Sequence, residues 1–419
     1  MTWTTSVERP GMLNLRSRLG ALVLSAIAVV GCGDNERGLQ SDTTQDTRSD
    51  TTQDTSVNDA TQTDTDTAGP VALPNSCSDT KACQQGFCRS GVCVQEPPQG
   101  ANAYLSDPVE NLLSTDWPDL SCADMTAAAP VASAITTLYG SVARFGKGRK
   151  TVDIRVEALL AEGFDPTACE EEATSSAKRT CYRNYGTPIA STLSVAPPTP
   201  TNLPESCTKQ EECPLGYQCF NPANLGGDCE EQFGLYELTG IPVNTPIILR
   251  SYTTTNEAQW HDTWVFNIVL DPSREVDGRI QYDAQMVSHG QWLLTSNSVG
   301  LPDMAPGNGA IGGRIRDCQD DRPYAWPISE VRLGLANPGS GIVYFNNLED
   351  DTVPLIDRQT TDILGRFAAL DVPAGWNKIG GAARVDGQVV SIGAVGVYVI
   401  PSSLSIVSWP GTQPYWRQQ

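Results

Sequence analysis

Histidine is the scarcest residue with acid–base or metal-binding chemistry in this chain of 419 residues, which contains only His261 and His289. The two stand in different predicted elements, and neither belongs to a His-Glu-x-x-His motif or stands near a nucleophile elbow. Because lone residues are weak evidence for a site, each is interpreted as a surface or capping residue. The sequence therefore predicts no catalytic residue, metal site or cofactor, and the chain is predicted not to be an enzyme. An enzyme would need a pocket that unites either histidine with Asp or Ser.

Positive charge is also scarce, since 28 Lys and Arg stand against 49 Asp and Glu, for a formal net charge of −21. Nucleic acids and anionic membrane surfaces attract positive charge, so this balance excludes them as partners. The stretch 307–312 matches the letters of a dinucleotide-binding motif, but it precedes a strand, so no helix N-terminus can receive a phosphate. The acidic runs at 170–172, 320–321 and 349–351 lack the ligand spacing of a calcium loop and are interpreted as solvated surface.

Long apolar runs are absent after residue 30, so no later segment is expected to cross a membrane as a helix. The apolar run that does occur, 19–30, follows Arg16 and Arg18. It has the length of a signal-peptide core and is too short to span a bilayer. The N-terminus is therefore predicted to direct export.

Cys32 closes this apolar run, in the sequence Ile-Ala-Val-Val-Gly-Cys. The ending resembles the lipobox of bacterial lipoproteins, which implies that residues 1–32 are a lipoprotein signal peptide, with Met12 as an alternative start, and that Cys32 is lipidated. Gly33 is not the Asp that would indicate inner-membrane retention, so the resemblance implies a lipid anchor in the outer membrane, facing the periplasm or the surface. An ordinary secretory signal with a chance cysteine and a short anchor helix are the alternatives.

A low-complexity segment, 33–74, follows the signal. It has few apolar side chains and repeats an eight-residue unit at 41–48 and 49–56. Such a segment buries too little surface to offset its ordering entropy, so we expect a disordered tether. Repulsion between its Asp residues predicts an extended spacer, with calcium binding by the same residues as the alternative.

Twelve of the 13 cysteines remain once Cys32 is set aside for lipid, an even number that suits disulfides in an exported protein. Four lie in a small module at 75–98, and four lie in a second cluster at 207–229. Neither cluster contains histidine or a Cys-x-x-Cys pair, so disulfides are favoured over structural zinc. The clusters resemble Dickkopf- or EGF-like cysteine-rich repeats, and their connectivity stays open. The disulfide candidates are Cys77, Cys83, Cys88, Cys93, Cys122, Cys169, Cys181, Cys207, Cys213, Cys219, Cys229 and Cys318.

One short frame occurs twice in the chain: Gly, an aromatic residue two positions later, and Pro eight positions after the Gly. It predicts a tight turn, a strand and a second turn, and its recurrence predicts two related domains. Matching entry strands precede the two copies at 138–144 and 311–317, and further strands match at 152–159 and 331–335. The frame residues are Gly234, Tyr236 and Pro242 in the first copy and Gly365, Phe367, Pro373 and Gly375 in the second.

The second copy resembles the carboxypeptidase regulatory-like domain through Asp362, Gly365, Phe367, Pro373 and Gly375. That family implies a prealbumin-like sandwich of seven strands. The first copy keeps the glycine, aromatic and proline positions but departs from the family at neighbouring acidic and glycine positions.

We therefore expect an all-β fold: two tandem prealbumin-like β-sandwiches plus small disulfide-rich modules and a disordered N-terminal tether. The expected first sandwich is 131–271 with a disulfide-rich insertion at 165–230, and the second is 306–408 after a connector at 272–305. A short helix is expected within 283–298 and a loose tail from residue 408.

These features predict a non-enzymatic, lipid-anchored cell-envelope protein with a structural or interaction role. The expected partners are the membrane, through the lipid anchor, and envelope proteins or glycans. A carbohydrate-binding surface lipoprotein is the alternative, since sandwiches that expose aromatic residues can bind sugars, although such residues more often lie in the core. The candidates for sugar stacking are Trp260, Trp264, Trp326 and Trp376.

Overall fold

The computed structural model of the chain describes residues 76–78, 82–107, 112–113, 117–121, 134–145, 150–204, 206–207, 212–220, 228–231, 233–255, 257–301, 304–318, 326–346 and 353–410. The predicted signal peptide, Cys32, the tether and Cys122 lie outside these residues and stay predictions. Residues 68–419 form one compact unit. Within the described ranges, no helix has the length and apolar character needed to cross a membrane.

Strands dominate the described part of the chain up to residue 301. They are β1 Phe87–Arg89, β2 Val92–Val94, β3 Ser106–Asp107, β4 Leu112–Leu113, β5 Ile135–Phe145, β6 Arg155–Leu160, β7 Ala190–Leu193, β8 Tyr217–Phe220, β9 Asp228–Glu231, β10 Leu235–Pro242, β11 Pro246–Tyr252, β12 Trp260–His261, β13 Thr263–Val269, β14 Arg279–Gln281 and β15 Ala284–Ser288. Helices α1 Ser175–Asn184 and α2 His289–Ser298 are ten residues each, and short 3₁₀ turns occupy Pro166–Glu171 and Pro272–Arg274.

The described residues after α2 are organised as strands alone. They are β16 Asn308–Arg316, β17 Arg332–Leu335, β18 Gly341–Phe345, β19 Pro354–Leu355, β20 Arg366–Pro373, β21 Gly375–Val385, β22 Gln388–Val399 and β23 Leu404–Pro410. The expectation of an all-β fold is thus confirmed, with two short helices added to it.

Each copy of the repeated frame forms a sandwich, and the order of the central strands is the same in both, while the edge strands differ. In the first, β5 pairs antiparallel with β10 and parallel with β14 and β15, while β11 lies between β6 and β13. In the second, β16 pairs antiparallel with β20 and parallel with β23, while β21 lies between β17 and β22. The frame residues occupy equivalent places: Gly234 and Gly365 precede β10 and β20, and Pro242 and Pro373 end them.

The two sandwiches share one sheet of nine strands. Its order is β19-β18-β20-β16-β23-β13-β11-β6-β7, so one layer of the second sandwich continues directly into one layer of the first. The join is made by β23, which runs parallel to β16 on one side and to β13 on the other. Strand β23, the last strand among the described residues, therefore connects the two copies through backbone hydrogen bonds.

Because the shared sheet lies between two cores, its interior strand β11 is buried on both faces. Every residue of β11 is buried. Ile247 and Leu249 pack into the core of the first sandwich, while Ile248 points to the opposite core, which includes most of the second sandwich. Successive side chains of a strand alternate between faces, so a strand between two cores reads as a continuous apolar run.

Two expectations from the sequence need correction. The tail was expected to be loose from Ser408, yet β23 runs through Pro410 in the middle of the shared sheet. The sequence of β23 mixes polar and apolar residues without a clear strand pattern, so the strand was not predicted. A strand flanked by partners gains much of its stability from pairing rather than from its own pattern. The helix expected within 283–298 occupies only its second half, since Ala284–Ser288 pairs with β5 and β12 as a strand.

Both cysteine clusters have the same connectivity, first to third and second to fourth. The pairs are Cys77–Cys88 and Cys83–Cys93 in the N-terminal module and Cys207–Cys219 and Cys213–Cys229 in the second cluster. Cys169–Cys181 joins the first 3₁₀ turn to α1, and Cys318 is disulfide-bonded as well. Each hairpin, β1–β2 and β8–β9, carries two half-cystines directly opposite each other.

The N-terminal module packs on the second sandwich. Val92 and Val94 of β2 are fully buried against Ala336 and Ala382. The following chain continues along the same sandwich, where Arg384 binds Glu96 at 2.7 Å.

Candidate functional site

The two histidines, predicted to be separate surface residues, lie together. His261 Nε2 and His289 Nδ1 are 3.0 Å apart. The register brings them together, because β12 pairs with β15 so that His261 lies opposite Val287, and His289 begins α2 directly after β15. Nothing in the local sequence around either histidine indicates this meeting.

The ring of His261 is held from three sides. Its Nδ1 lies 3.0 Å from the backbone carbonyl of Ser402, so this nitrogen carries a proton and donates. In the neutral ring, Nε2 then accepts, and the donor is His289 Nδ1. Trp292, one turn into α2, stacks on the His261 ring with centroids 4.3 Å apart. These contacts fix both the tautomer and the ring plane.

The pKa of His261 is lowered to about 4, chiefly by burial. The neighbouring His289 and the positive charge of Arg179 also lower it, while the hydrogen bond to Ser402 and the negative charge of Asp262 act in the opposite direction. Removing a charged imidazolium from water is costly, so the neutral ring is favoured. His261 therefore offers a neutral Nε2 at ordinary pH.

Next to the histidines lies a cluster of four charges, Arg179, Arg183, Asp262 and Glu257. Asp262, which follows β12, is buried and accepts from Arg183 at 2.7 Å through both Nε and Nη2 and from Arg179 Nη2 at 2.8 Å. Arg183 also pairs with Glu257. The two arginines are four positions apart on α1 and so share a face. The cluster binds the inserted helix to the first sandwich and has no net charge.

The pocket beside these groups has a volume of about 320 Å³. It lies where the insertion, the first sandwich, α2 and the turn before β23 meet. Pockets at such junctions are common places for ligands. Within the lining, Ser402 contacts His261 through its backbone carbonyl. The lining residues are Arg179, Glu257, Ala258, Trp260, His261, His289 and Ser402.

The frame residues proposed from the sequence have structural positions. Tyr236 and Phe367 are buried in the two cores, and each lies opposite the glycine of its entry strand, Gly140 or Gly313. Gly375 starts β21 with φ of 107°, a conformation that favours glycine. These residues shape the sandwiches and do not line the pocket.

The four tryptophans considered for sugar stacking do not form a strip. Trp260 and Trp264 are 4% and 1% exposed. Trp326 and Trp376 are partly buried and pack against the larger core. Among the described residues, Trp117 is the tryptophan with the largest exposure, 44%, and its ring stacks on Tyr104 at 6.0 Å.

In the cysteine clusters, several sulfur atoms lie as close together as the ligands of a metal ion. The sulfur atoms of Cys77, Cys83 and Cys93 lie within 4.8 Å of one another. All three are bonded in the two adjacent disulfides of the module, so their sulfurs are not thiolates.

Comparison with known proteins assigns no family, since no family model and no curated protein matches the chain. Three solved structures show a remote likeness. The shaft pilin SpaA from Lactobacillus rhamnosus GG is 8% identical, with a TM-score of 0.18, over 65% of this chain and 96% of that one. A leucine-rich repeat protein from Bacteroides thetaiotaomicron is 9% identical, with a TM-score of 0.17, over 67% and 27%. The minor pilin GBS52 from Streptococcus agalactiae is 10% identical, with a TM-score of 0.14, over 68% and 98%. TM-scores this low carry no inference, and the fold stands on the strand pairings described above.

Proposed function

We propose that the chain is a non-enzymatic, lipid-anchored protein of the cell envelope whose double sandwich is a rigid body for structural support or interaction. The observation that carries the proposal is the shared sheet of nine strands, in which β23 joins the two copies through backbone pairing. Domains joined by a linker can move relative to each other, whereas domains that share a sheet move together.

The disulfides support the same function. Five bonds join described cysteines, and both hairpin modules carry two. Segments this short have no core of their own, and disulfides constrain their unfolded states. A protein outside the cell benefits from such bonds because that environment is oxidising.

The anchor is tested by expressing the full chain in a Gram-negative host with a radiolabelled or clickable fatty acid. We expect label on the wild-type chain, none on Cys32→Ala, and an unprocessed precursor when the lipoprotein signal peptidase is inhibited by globomycin. Equal labelling of the variant, or normal processing with the inhibitor, would contradict the anchor.

The rigid-body role is tested separately by small-angle scattering and by spin-label distances between the two sandwiches. We expect one narrow distance distribution between labels on exposed positions such as Glu162 and Asp386. A broad distribution would contradict the role even if the lipid is present.

Carbohydrate binding is the second candidate, supported by the stacked pair Tyr104 and Trp117. An aromatic face that is open to solvent can stack on a sugar ring. A glycan array probed with the wild-type chain and with Trp117→Ala tests it. Binding lost in the variant would support this candidate, and no binding on the array would eliminate it.

A further inference from the structure

We propose that His261 and His289 form a binding site for a divalent transition-metal ion, with Cu²⁺ as the preferred ion. The two residues are the complete histidine content of the chain. Both line the same pocket, with Nε2 of one and Nδ1 of the other 3.0 Å apart. Imidazole nitrogen is a common ligand for Cu, Ni and Zn.

The separation of the two nitrogens, which a hydrogen bond sets in the metal-free chain, is compatible with two cis ligands on one ion. At a metal–nitrogen distance of about 2.0–2.1 Å, two ligand nitrogens 3.0 Å apart subtend an angle of about 94° at the metal. That angle is close to the cis angle of a square-planar or tetragonal site. A tetrahedral ion would need the nitrogens roughly 3.3–3.4 Å apart. Square-planar and tetragonal geometry is typical of Cu²⁺ and Ni²⁺, and Cu²⁺ has the higher intrinsic affinity.

The surroundings of His261 are those of a metal ligand. Its second nitrogen donates to the Ser402 carbonyl at 3.0 Å, which leaves the lone pair of Nε2 facing His289. A ligating histidine usually donates its other N–H to a carbonyl or carboxylate in this way, which fixes the ring. Trp292 holds the ring plane from one face. Because Nδ1 is the donor to Ser402, Nε2 is the acceptor toward His289, so a metal does not have to displace a proton from it.

Metal binding would replace one hydrogen bond by two metal–nitrogen bonds. The proton on His289 Nδ1 leaves to solvent, and Nε2 of the same ring carries the proton in the bound state. His289 is exposed, so water can reach its ring and carry the proton away from one nitrogen and to the other.

The local charges permit a cation. Arg179 lines the pocket beside the histidines and Arg183 lies one turn further along α1, and Asp262 and Glu257 balance both charges. Glu257 is about half exposed and lines the pocket, where its carboxylate can turn toward a bound ion. The remaining positions of the metal would be filled by water or by a ligand in the pocket.

The test is titration of the purified, chelator-treated full chain with Cu²⁺, followed by calorimetry and electron paramagnetic resonance. We expect one ion per chain and hyperfine coupling from two imidazole nitrogens. His289→Gln should weaken binding at least roughly tenfold and reduce the coupling to one nitrogen. Since His289 is exposed, this variant should keep the wild-type circular dichroism and melting temperature.

Matched controls separate the site from the acidic surface. Glu162→Gln removes an exposed carboxylate elsewhere in the first sandwich and should leave binding unchanged. His261→Asn should abolish the two-nitrogen signal, as should the double variant. Oxygen-only coordination, binding that is equal in wild type and His289→Gln, or tighter binding of Zn²⁺ than of Cu²⁺ would overturn the proposal.

Discussion

Two glycines, one in each copy, determine how closely the strands of the sandwiches approach. A Cβ atom on Gly140 would lie 2.0 Å from the carbonyl oxygen of Tyr282, and one on Gly313 would lie 1.7 Å from that of Val407. In each case the obstacle is backbone of the parallel neighbour, which cannot rotate away as a side chain can. These positions therefore require glycine because of contacts made far along the chain.

We predict that Gly140→Ala and Gly313→Ala each lower the free energy of unfolding by more than about 3 kcal/mol, because the strands must separate to admit a methyl group. Denaturant titration followed by circular dichroism measures the loss. Gly290→Ala is the matched control, since a Cβ atom there meets nothing within 4 Å and the residue lies in α2. Equal stability of the three variants would contradict the prediction.

The half-buried imidazole of His261 makes stability depend on pH. Its folded-state pKa of about 4 lies below the ordinary value of 6.5, so between these values the unfolded chain binds the proton and the folded chain does not. The contribution of this group to the free energy of unfolding is therefore fully present above about pH 6.5 and is lost as the pH falls toward 4. The loss amounts to at most about 3 kcal/mol.

Nuclear magnetic resonance with labelled histidine, in the presence of a chelator, measures this directly. Two imidazole signals are expected, and His289→Gln identifies the one that belongs to His261. We expect a titration midpoint near 4 for His261. A midpoint near 6.5 would show that the ring is hydrated and would refute the prediction.

At the scale of the element, the attachment of α1 to the first sandwich depends on a single buried carboxylate, that of Asp262. Asp262 is 3% exposed and receives hydrogen bonds from both arginines of the helix. Glu257 touches the same arginines, but about half of its side chain is exposed. Burial makes the two acids unequal, because water can replace an exposed partner and cannot reach a buried one.

We predict that Asp262→Ala destabilises the protein by roughly 3–5 kcal/mol, since it leaves the guanidinium of Arg183 buried without its main partner. Glu257→Ala should cost less than about 1 kcal/mol. Both values come from thermal or chemical denaturation. Hydrogen exchange should locate the Asp262→Ala effect in 175–184, and uniform protection there in the variant would count against this role.

At the scale of the whole molecule, β23 determines whether the two sandwiches unfold together. Ser405 is fully buried, and its backbone pairs with Trp264 of the first sandwich and Ile311 of the second. A central strand that loses an N–H donor loses a ladder hydrogen bond. The junction is therefore the place where one change should affect both copies.

We predict that the two sandwiches of the wild-type chain unfold in a single calorimetric transition. In Ser405→Pro this transition should disappear or move to a much lower melting temperature. Ser405→Ala keeps the backbone donor and removes only the hydroxyl that donates to Tyr398 at 2.7 Å, so it should cost about 1 kcal/mol. Two separate transitions in the wild-type chain would show that the sandwiches unfold independently.

Much of the fold could be predicted from the sequence, because its causes are local or repeated. The alternation in 152–159 indicates a strand, and the frame at Gly234 and Gly365 reports the same turn and core aromatic twice. The disulfide-rich modules follow from cysteine spacing in segments too short for a core. All of these features can be recognised within a few dozen residues.

The candidate site could not be predicted, because no short segment contains it. His261 and Ser402 are 141 positions apart, and His261 meets His289 only through the register of β12 with β15. Disulfide connectivity was equally open, since spacing permits several pairings and only the fold of each module selects one.

The sequence by itself thus determined the class of fold and the duplication, which depend on composition and local periodicity, while export and the lipid anchor stay predictions. The tertiary structure decided that the two sandwiches share one sheet, that β23 joins them, and that the two histidines meet in a pocket at that junction. The physical reason is that strand order and register are set by the summed burial and pairing of distant segments, which local sequence patterns do not encode.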